Sequence, residues 1–231
     1  MTELTVILQR IDQGDPHAAN ELLPHRQESG DGTRDVRRRH AGAAVLFVLA
    51  GFPRTVAPLD LEKALAGDYD RLAAALLERY GRLDGLVHCA AVLGALAPIE
   101  HADMRNWCRV LHVNLTAAFA LTQVLLPALR ASSDAAVIFS SSSVGRRGRA
   151  NWGAYAVSKF GVEGLSQVLA DELAGNSAIR VNAVNPGPTR TRMRRQAYPA
   201  ENAELLPLPA AIVNPYLWLL GPASRGVSGR S

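Results

Sequence analysis

Lysine is almost missing from this chain of 231 residues: of its 25 lysines and arginines, only Lys63 and Lys159 are lysines. Cysteine is as scarce. Cys89 and Cys108 are too few for a disulfide framework, and their spacing matches no metal-ligand pattern, so no metal site is expected. Aromatic residues make up 6%. Without interleaved aromatic and basic residues, a helix-turn-helix pattern or zinc-finger spacing, the net charge of +4 is not read as a nucleic-acid footprint. No apolar run approaches the ~20 residues of a membrane helix; AAVLFVLAGF, from Ala43, is the longest contender and falls short. Met1 opens a polar, acidic segment rather than a secretory leader. What remains is a chain of ordinary composition, 48% hydrophobic and 20% charged, sized for a single domain with a sizeable core. A cytoplasmic location is expected, with neither nucleic acid nor membrane as partner.

The arginines gather at Arg37–Arg39, Arg146–Arg149 and Arg190–Arg195. Solvated loops and phosphate contacts are both consistent with that clustering.

From about residue 54, short apolar runs alternate with long amphipathic stretches. RTVAPLD, LDGLVHCAAV, AAVIFSSSS and IRVNAVNPG read as strands. DYDRLAAALLERYG, MRNWCRVLHVNLTAAFALTQVLLPALRAS and GAYAVSKFGVEGLSQVLADELAG read as helices. Such alternation predicts an α/β fold with a doubly wound parallel sheet, in which ligands bind at the carboxyl ends of the strands. Asp60, Ser140–Ser143 and Asn185–Thr191 fall at those ends. The first 42 residues are expected to be an atypical helical or disordered segment ahead of a domain spanning 43–231. Within that segment, HRQESGDGTRDVRRRH is too polar to build a core.

One lysine stands where chemistry would want it. Tyr155 and Lys159 are four residues apart on a predicted helix and therefore share a face. A free phenol, with a pKa near ~10, is a weak base at neutral pH. A cation a few ångströms away favours the phenolate, so the pair is expected to lower the pKa of Tyr155 and make it a general acid/base. Ser142 ends the strand AAVIFSSSS, where its hydroxyl can hold a substrate oxygen. Asn114 interrupts an apolar helix, where a polar side chain is costly unless paired. The four together supply an oxygen anchor, a proton donor, a tuning charge and an amide to position water.

The stretches FSSSSVGRRGRANWGAYAVSK, VNLTAAF and VNAVNPGPTRT resemble the active-site stretches of the short-chain dehydrogenase/reductases, with the resemblance running from about Arg54 to Ser224. It implies a Rossmann-like fold and hydride transfer between NAD or NADP and a small-molecule carbonyl or alcohol. It also implies assembly as a homodimer or homotetramer. By position, Tyr155 becomes the catalytic acid/base. Lys159 would tune it and hold the nicotinamide ribose, Ser142 would hold the carbonyl oxygen, and Asn114 would complete a proton relay. Asp60, Leu61, Cys89 and Ala90 fall at cofactor-contacting positions, Asp60 matching an adenine-contacting acid. Pro186, Gly187, Thr189 and Thr191 match the loop beside the nicotinamide and pyrophosphate.

The family opens with a strand and a glycine-rich turn whose amides cradle the pyrophosphate. No Gly-x-x-x-Gly-x-Gly precedes Asp60 here; FPRT follows AAVLFVLAG, and the next run begins at once. Parallel neighbours need a crossover of a dozen or more residues, so about one βαβ unit, roughly 30 residues or more, is expected to be missing. HCAA at His88–Ala91 replaces the family's Asn-Asn-Ala-Gly, and SRGVSGRS ends short of its usual last strand. Residues 1–24, with ILQRIDQGDPHAANELLP, weakly resemble the opening of extracytoplasmic-function sigma factors. The alternative reading is a non-catalytic, reductase-like binding protein with a transcription-related amino terminus.

Overall fold

The computed structural model describes the strand Val45–Val48 and residues 59–231. The amino-terminal segment, the sigma-like stretch, Arg37–Arg39 and most of the strand expected at RTVAPLD lie outside the described residues. Leu59 and Asp60, at its end, are not in a strand.

In chain order the elements are β1 (Val45–Val48), α1 (Ala66–Tyr80), β2 (Gly85–His88), α2 (Met104–Leu111), α3 (Ala117–Arg130), β3 (Ala135–Ser140), α4 (Gly153–Leu173), β4 (Ile179–Val184), α5 (Arg192–Ala197) and α6 (Asn214–Leu220). The strands lie side by side in the order β1-β2-β3-β4. The last three run parallel, in the registers Gly85↔Ala136 and Ala135↔Ile179. Helices lie on both faces. Leu86, Val137, Phe139 and Val181 meet α1, α3 and α4, while Val87 and Ile138 meet Leu219 of α6. Successive strand residues point to opposite faces, and both faces are covered, which is why these strands read as continuous apolar runs.

β1 departs from the parallel expectation. It pairs antiparallel with β2, Val45 opposite His88 and Val48 opposite Gly85. The chain therefore leaves β1 at the edge of the sheet away from the carboxyl ends of β2, β3 and β4. No strand follows β4 in chain order among the described residues, but the last residues lie against it. Residues 227–230 run along β4: Ala183 N–H donates to Arg230 O at 2.8 Å and Gly229 N–H to Val181 O at 2.7 Å. A parallel bridge joins Asn182 and Arg230.

Local chemistry sets the helix ends. The Asp68 carboxylate accepts from Leu65 N–H at 2.8 Å at the start of α1, and Gly81, at φ 71°, ends it in the left-handed region. Asp103 caps α2, accepting from Asn106 N–H at 2.7 Å. Contrary to the hydropathy expectation, Met104–Arg130 is long and apolar enough to cross a membrane by length and composition, as is Ala203–Leu220. In the fold, however, Leu121, Leu125 and Leu129 of α3 are fully buried. Each such burial stabilises by about 1.5–3 kcal/mol.

Candidate active site

The site forms where β3 ends against α4. Ser142 is in extended backbone, φ −161° and ψ 159°, so Ser141 and Ser142 point to opposite sides. Lys159, 3% exposed, reaches back from α4, and its Nζ donates to Ser140 O at 2.6 Å. Tyr155, one helical turn earlier, is 9% exposed and accepts a hydrogen bond from the Ser142 side chain, which lowers its pKa. The Lys159 Nζ stands 5.7 Å from the Tyr155 ring centroid. Gly145 lets the β3–α4 turn lie directly on the lysine: a Cβ there would sit 2.9 Å from Lys159 Cβ and 3.0 Å from its carbonyl carbon.

Burial sets the electrostatics. It lowers the Lys159 ammonium to about 8, with Cys89 acting the other way. Burial also raises the Tyr155 phenol above its ordinary value, opposed by the hydrogen bond with Ser142. The expectation that Lys159 lowers the Tyr155 pKa is therefore not met: desolvation dominates, and the lysine spends its strong hydrogen bond on a backbone carbonyl. His88 is held neutral, lowered to about 3 by burial and then by the Lys159 charge. Thr122 gives its only hydroxyl hydrogen to Ala118 O, so His88 Nε2 must be the donor across the 2.9 Å contact with Thr122 Oγ1. Its ring stacks on Phe139.

Asn114 sits in a π-helical turn, His112–Thr116, between α2 and α3. Such bulges insert a residue into the helix and often mark functional positions. Its Oδ1 accepts from Val92 N–H at 2.7 Å, and its Nδ2 donates to Val92 O and to Ser158 Oγ, both at 3.0 Å. Ser158 in turn donates to Tyr155 O at 2.7 Å. Both amide hydrogens are spent. The Asn114 side chain is thus a strut tying the loop after β2 to the first turn of α4, not the free amide expected to position water.

The remaining expected residues divide into two groups. Leu61 and Ala90 are buried in the core, so their side chains are not presented to a ligand. Asp60 caps its own turn, accepting from Glu62 N–H at 3.1 Å. Cys89 exposes part of its surface, but its sulfur is tucked against Ser140, whose hydroxyl donates to it at 3.3 Å. Desolvation raises the thiol despite that bond and the Lys159 charge. Pro186 and Gly187 follow β4, with Gly187 at φ 73°, and Thr189 donates to Gly187 O at 3.2 Å. Thr191 caps α5, accepting from Arg194 N–H at 3.1 Å. Three of the clustered arginines are tied to carboxylates rather than free for phosphate: Arg146 to Glu163 at 3.0 Å, Arg190 to Glu204 at 2.9 Å and Arg194 to Glu201 at 2.6 Å.

Sequence reasoning missed several residues at the site. Ser158, fully buried, had one signal: a serine on the buried face of a helix, three residues after Tyr155. Trp152 packs edge-on to Tyr155, with centroids 5.8 Å apart. Tyr216 of α6 brings its hydroxyl to 3.0 Å from Ser140 Oγ and is raised to about 12, chiefly by burial; nothing in the sequence placed it there.

These residues fit the ribose end of a nicotinamide cofactor. Among the described residues, the Lys159 ammonium has one hydrogen-bond acceptor, Ser140 O, leaving two N–H donors 5.7 Å from the Tyr155 ring for the hydroxyls of a sugar. No described turn offers a phosphate cradle beside β2, where the antiparallel β1 runs.

The short chain dehydrogenase family model matches residues 42–202. The uncharacterized oxidoreductase YciK of Escherichia coli K12 is 48% identical over 171 residues, covering 74% of this chain and 67% of its own length. Trans-4-hydroxycyclohexanecarboxylate dehydrogenase of Sinomonas cyclohexanicum is 38% identical over 129 residues, 54% of this chain and 49% of its own. The chain thus spans about half to two thirds of these curated relatives. An Escherichia coli CFT073 short chain dehydrogenase structure complexed with NADPH is 49% identical, with a TM-score of 0.72, covering 74% of this chain and 71% of that one. With the fold, the buried Tyr155–Lys159 pair and these matches in agreement, the chain belongs to the short-chain dehydrogenase family of NAD(P)-dependent oxidoreductases.

Proposed function

We propose that this chain reduces a small-molecule carbonyl to an alcohol, with Tyr155 as the proton donor. The nicotinamide supplies the hydride. The observation that carries this reading is the placement of Tyr155: its ring lies 5.7 Å from the buried Lys159 ammonium and its phenol is hydrogen-bonded with Ser142, so a proton donor, a nearby cation and an oxygen anchor meet at one point. Ser142 holds the carbonyl oxygen beside that phenol. Lys159, fixed on Ser140 O, holds the ribose and places positive charge behind the tyrosine as negative charge develops on the oxygen. Asn114 and Ser158 keep the first turn of α4 in place. The relative named as a hydroxycyclohexanecarboxylate dehydrogenase supports a carbonyl/alcohol pair as substrate.

Cofactor affinity is weak in this reading, since β1 turns its carboxyl end away from the site. Each charge-assisted hydrogen bond to the pyrophosphate is worth roughly 1.5–3 kcal/mol, and losing two would weaken binding at least a hundredfold. The protein works in the cytoplasm as a homodimer or homotetramer, without nucleic acid or membrane.

The test supplies NADPH or NADH deuterated at the transferring carbon with a panel of ketones and aldehydes. Product alcohol one mass unit heavier is expected. No labelled alcohol from any carbonyl, with NADPH-binding retained, would favour the non-catalytic binding protein.

A further inference from the structure

A buried carboxylate outside the four expected residues grips both ends of the turn that carries Ser142. Glu163, 8% exposed, lies one helical turn beyond Lys159. Its Oε1 accepts from Ser141 Oγ at 2.5 Å and from Arg146 Nε at 3.0 Å. Ser141 immediately precedes Ser142, and Arg146 follows the 3₁₀ turn Ser143–Gly145. Consecutive residues at the end of β3 are therefore held by consecutive turns of α4: Ser140 O by Lys159 and Ser141 Oγ by Glu163.

We propose that Glu163 is a positioning residue for the reaction, acting on Tyr155 through Ser142. The backbone at Ser142 is extended, so directing the Ser141 hydroxyl down onto Glu163 directs the Ser142 hydroxyl up toward Tyr155. The hold of Arg146 on the same oxygen closes the turn, whose Gly145 then lies against Lys159. One carboxylate thus sets the register between the serine anchor and the tyrosine–lysine pair. Carboxylate chemistry suits the task. It accepts from two donors at once, and a charged acceptor makes a hydrogen bond roughly twice as strong as a neutral one. The bound Arg146 compensates the buried charge. This role rests on the proposed function, because it matters only if Tyr155 transfers the proton; its test does not require turnover.

The hydrogen bond with Ser142 lowers the Tyr155 pKa, so the Tyr155 midpoint reports where Ser142 sits. The other groups facing this site are Lys159 on α4, Cys89 and His88 at the end of β2, and Tyr216 on α6. All are left unchanged in the comparison. The midpoint is read from ¹³C-labelled tyrosine Cζ shifts, assigned by loss of the signal in Tyr155→Phe. Expected is a rise of about half to one pH unit in Glu163→Ala and Ser141→Ala, the loss of one hydrogen bond's worth. Glu163→Gln, which keeps an acceptor oxygen for Ser141, should stay closer to the parent. In a Ser142→Ala background, Glu163→Ala should move the midpoint no further. Ser141→Ala leaves the Glu163–Arg146 pair intact and serves if Glu163→Ala fails to fold. An unchanged midpoint in folded Glu163→Ala or Ser141→Ala, or an equal shift with and without Ser142, would overturn the proposal. Absence of hydride transfer alongside the expected midpoints would defeat the proposed function and leave this coupling standing.

Discussion

Lys159 Nζ and Ser140 O are 2.6 Å apart, in a site where the lysine is 3% exposed. The bond anchors the ammonium to the end of β3 rather than to Tyr155, and burial brings its pKa to about 8 from an ordinary 10.5. Below about 8 the folded and unfolded chains both hold this proton. Between about 8 and 10.5 the unfolded chain holds it and the folded chain does not, so folding stability should rise with pH across that window. Urea denaturation of the parent and of Lys159→Met at pH 7.5 and 10 checks the sign. The parent should gain on the variant at pH 10. Lys159→Arg should be severely impaired at both, because a planar guanidinium cannot occupy the ammonium's position.

Gly145→Ala should destabilise by about 1–3 kcal/mol, as overpacking does. The new Cβ would meet both Lys159 Cβ and Ser141 Oγ at 2.9 Å. Gly148→Ala, where nothing lies within 4 Å of the added carbon, is the control. Chemical denaturation of the two variants should separate them.

Asn114→Ala strands Val92 N–H and Val92 O together, besides leaving Ser158 Oγ without its donor. A buried group left unpaired costs about 1–3 kcal/mol; Ser158 is fully buried and Val92 only half-buried, so a loss of about 1–3 kcal/mol is expected from denaturation curves. Asn114→Asp keeps the acceptor for Val92 N–H but sets a buried carboxylate oxygen against Val92 O, and should be at least as damaging as Ala.

Val157, Phe160 and Val168 on α4 and Phe119 on α3 are each about half exposed, at 45, 45, 56 and 46%. Residues 157, 160, 164 and 168 recur at helical spacing, and Gly164 leaves open space beside them. This stripe is where we expect two copies to pair. Light scattering at micromolar concentration should give a dimer or tetramer for the parent and a monomer for Phe160→Glu, which puts a charge into an apolar contact. A monomeric parent would contradict the pairing.

Much of this architecture was legible because it is local. Tyr155 and Lys159 share a helix face by spacing alone, and β3 and β4 announce themselves as apolar runs flanked by polar residues. The features that were not legible depend on tertiary context. A strand pattern carries no direction, so the antiparallel pairing of β1 was not visible in AAVLFVLAG. The π turn at Asn114 inserts one residue without disturbing the apolar periodicity that predicts the helix. The Tyr155 pKa was misjudged because charge proximity shows in a sequence while desolvation does not. Ser158 and Glu163 looked like ordinary polar helix residues until the fold placed them against Asn114 and Ser141. The paired arginines at 146, 190 and 194 were ambiguous because their carboxylate partners lie seven to seventeen residues away.

The central claim, that Tyr155 donates the proton in hydride transfer, is tested most directly by comparing the parent with Tyr155→Phe. Carbonyl-dependent NADPH oxidation is followed in both, alongside NADPH fluorescence titration. The account predicts slow but measurable turnover in the parent and unchanged NADPH affinity in the variant. Turnover in Tyr155→Phe should fall about 10²–10⁴-fold, the usual worth of a positioned general acid. A variant that oxidises NADPH at the parental rate would contradict it.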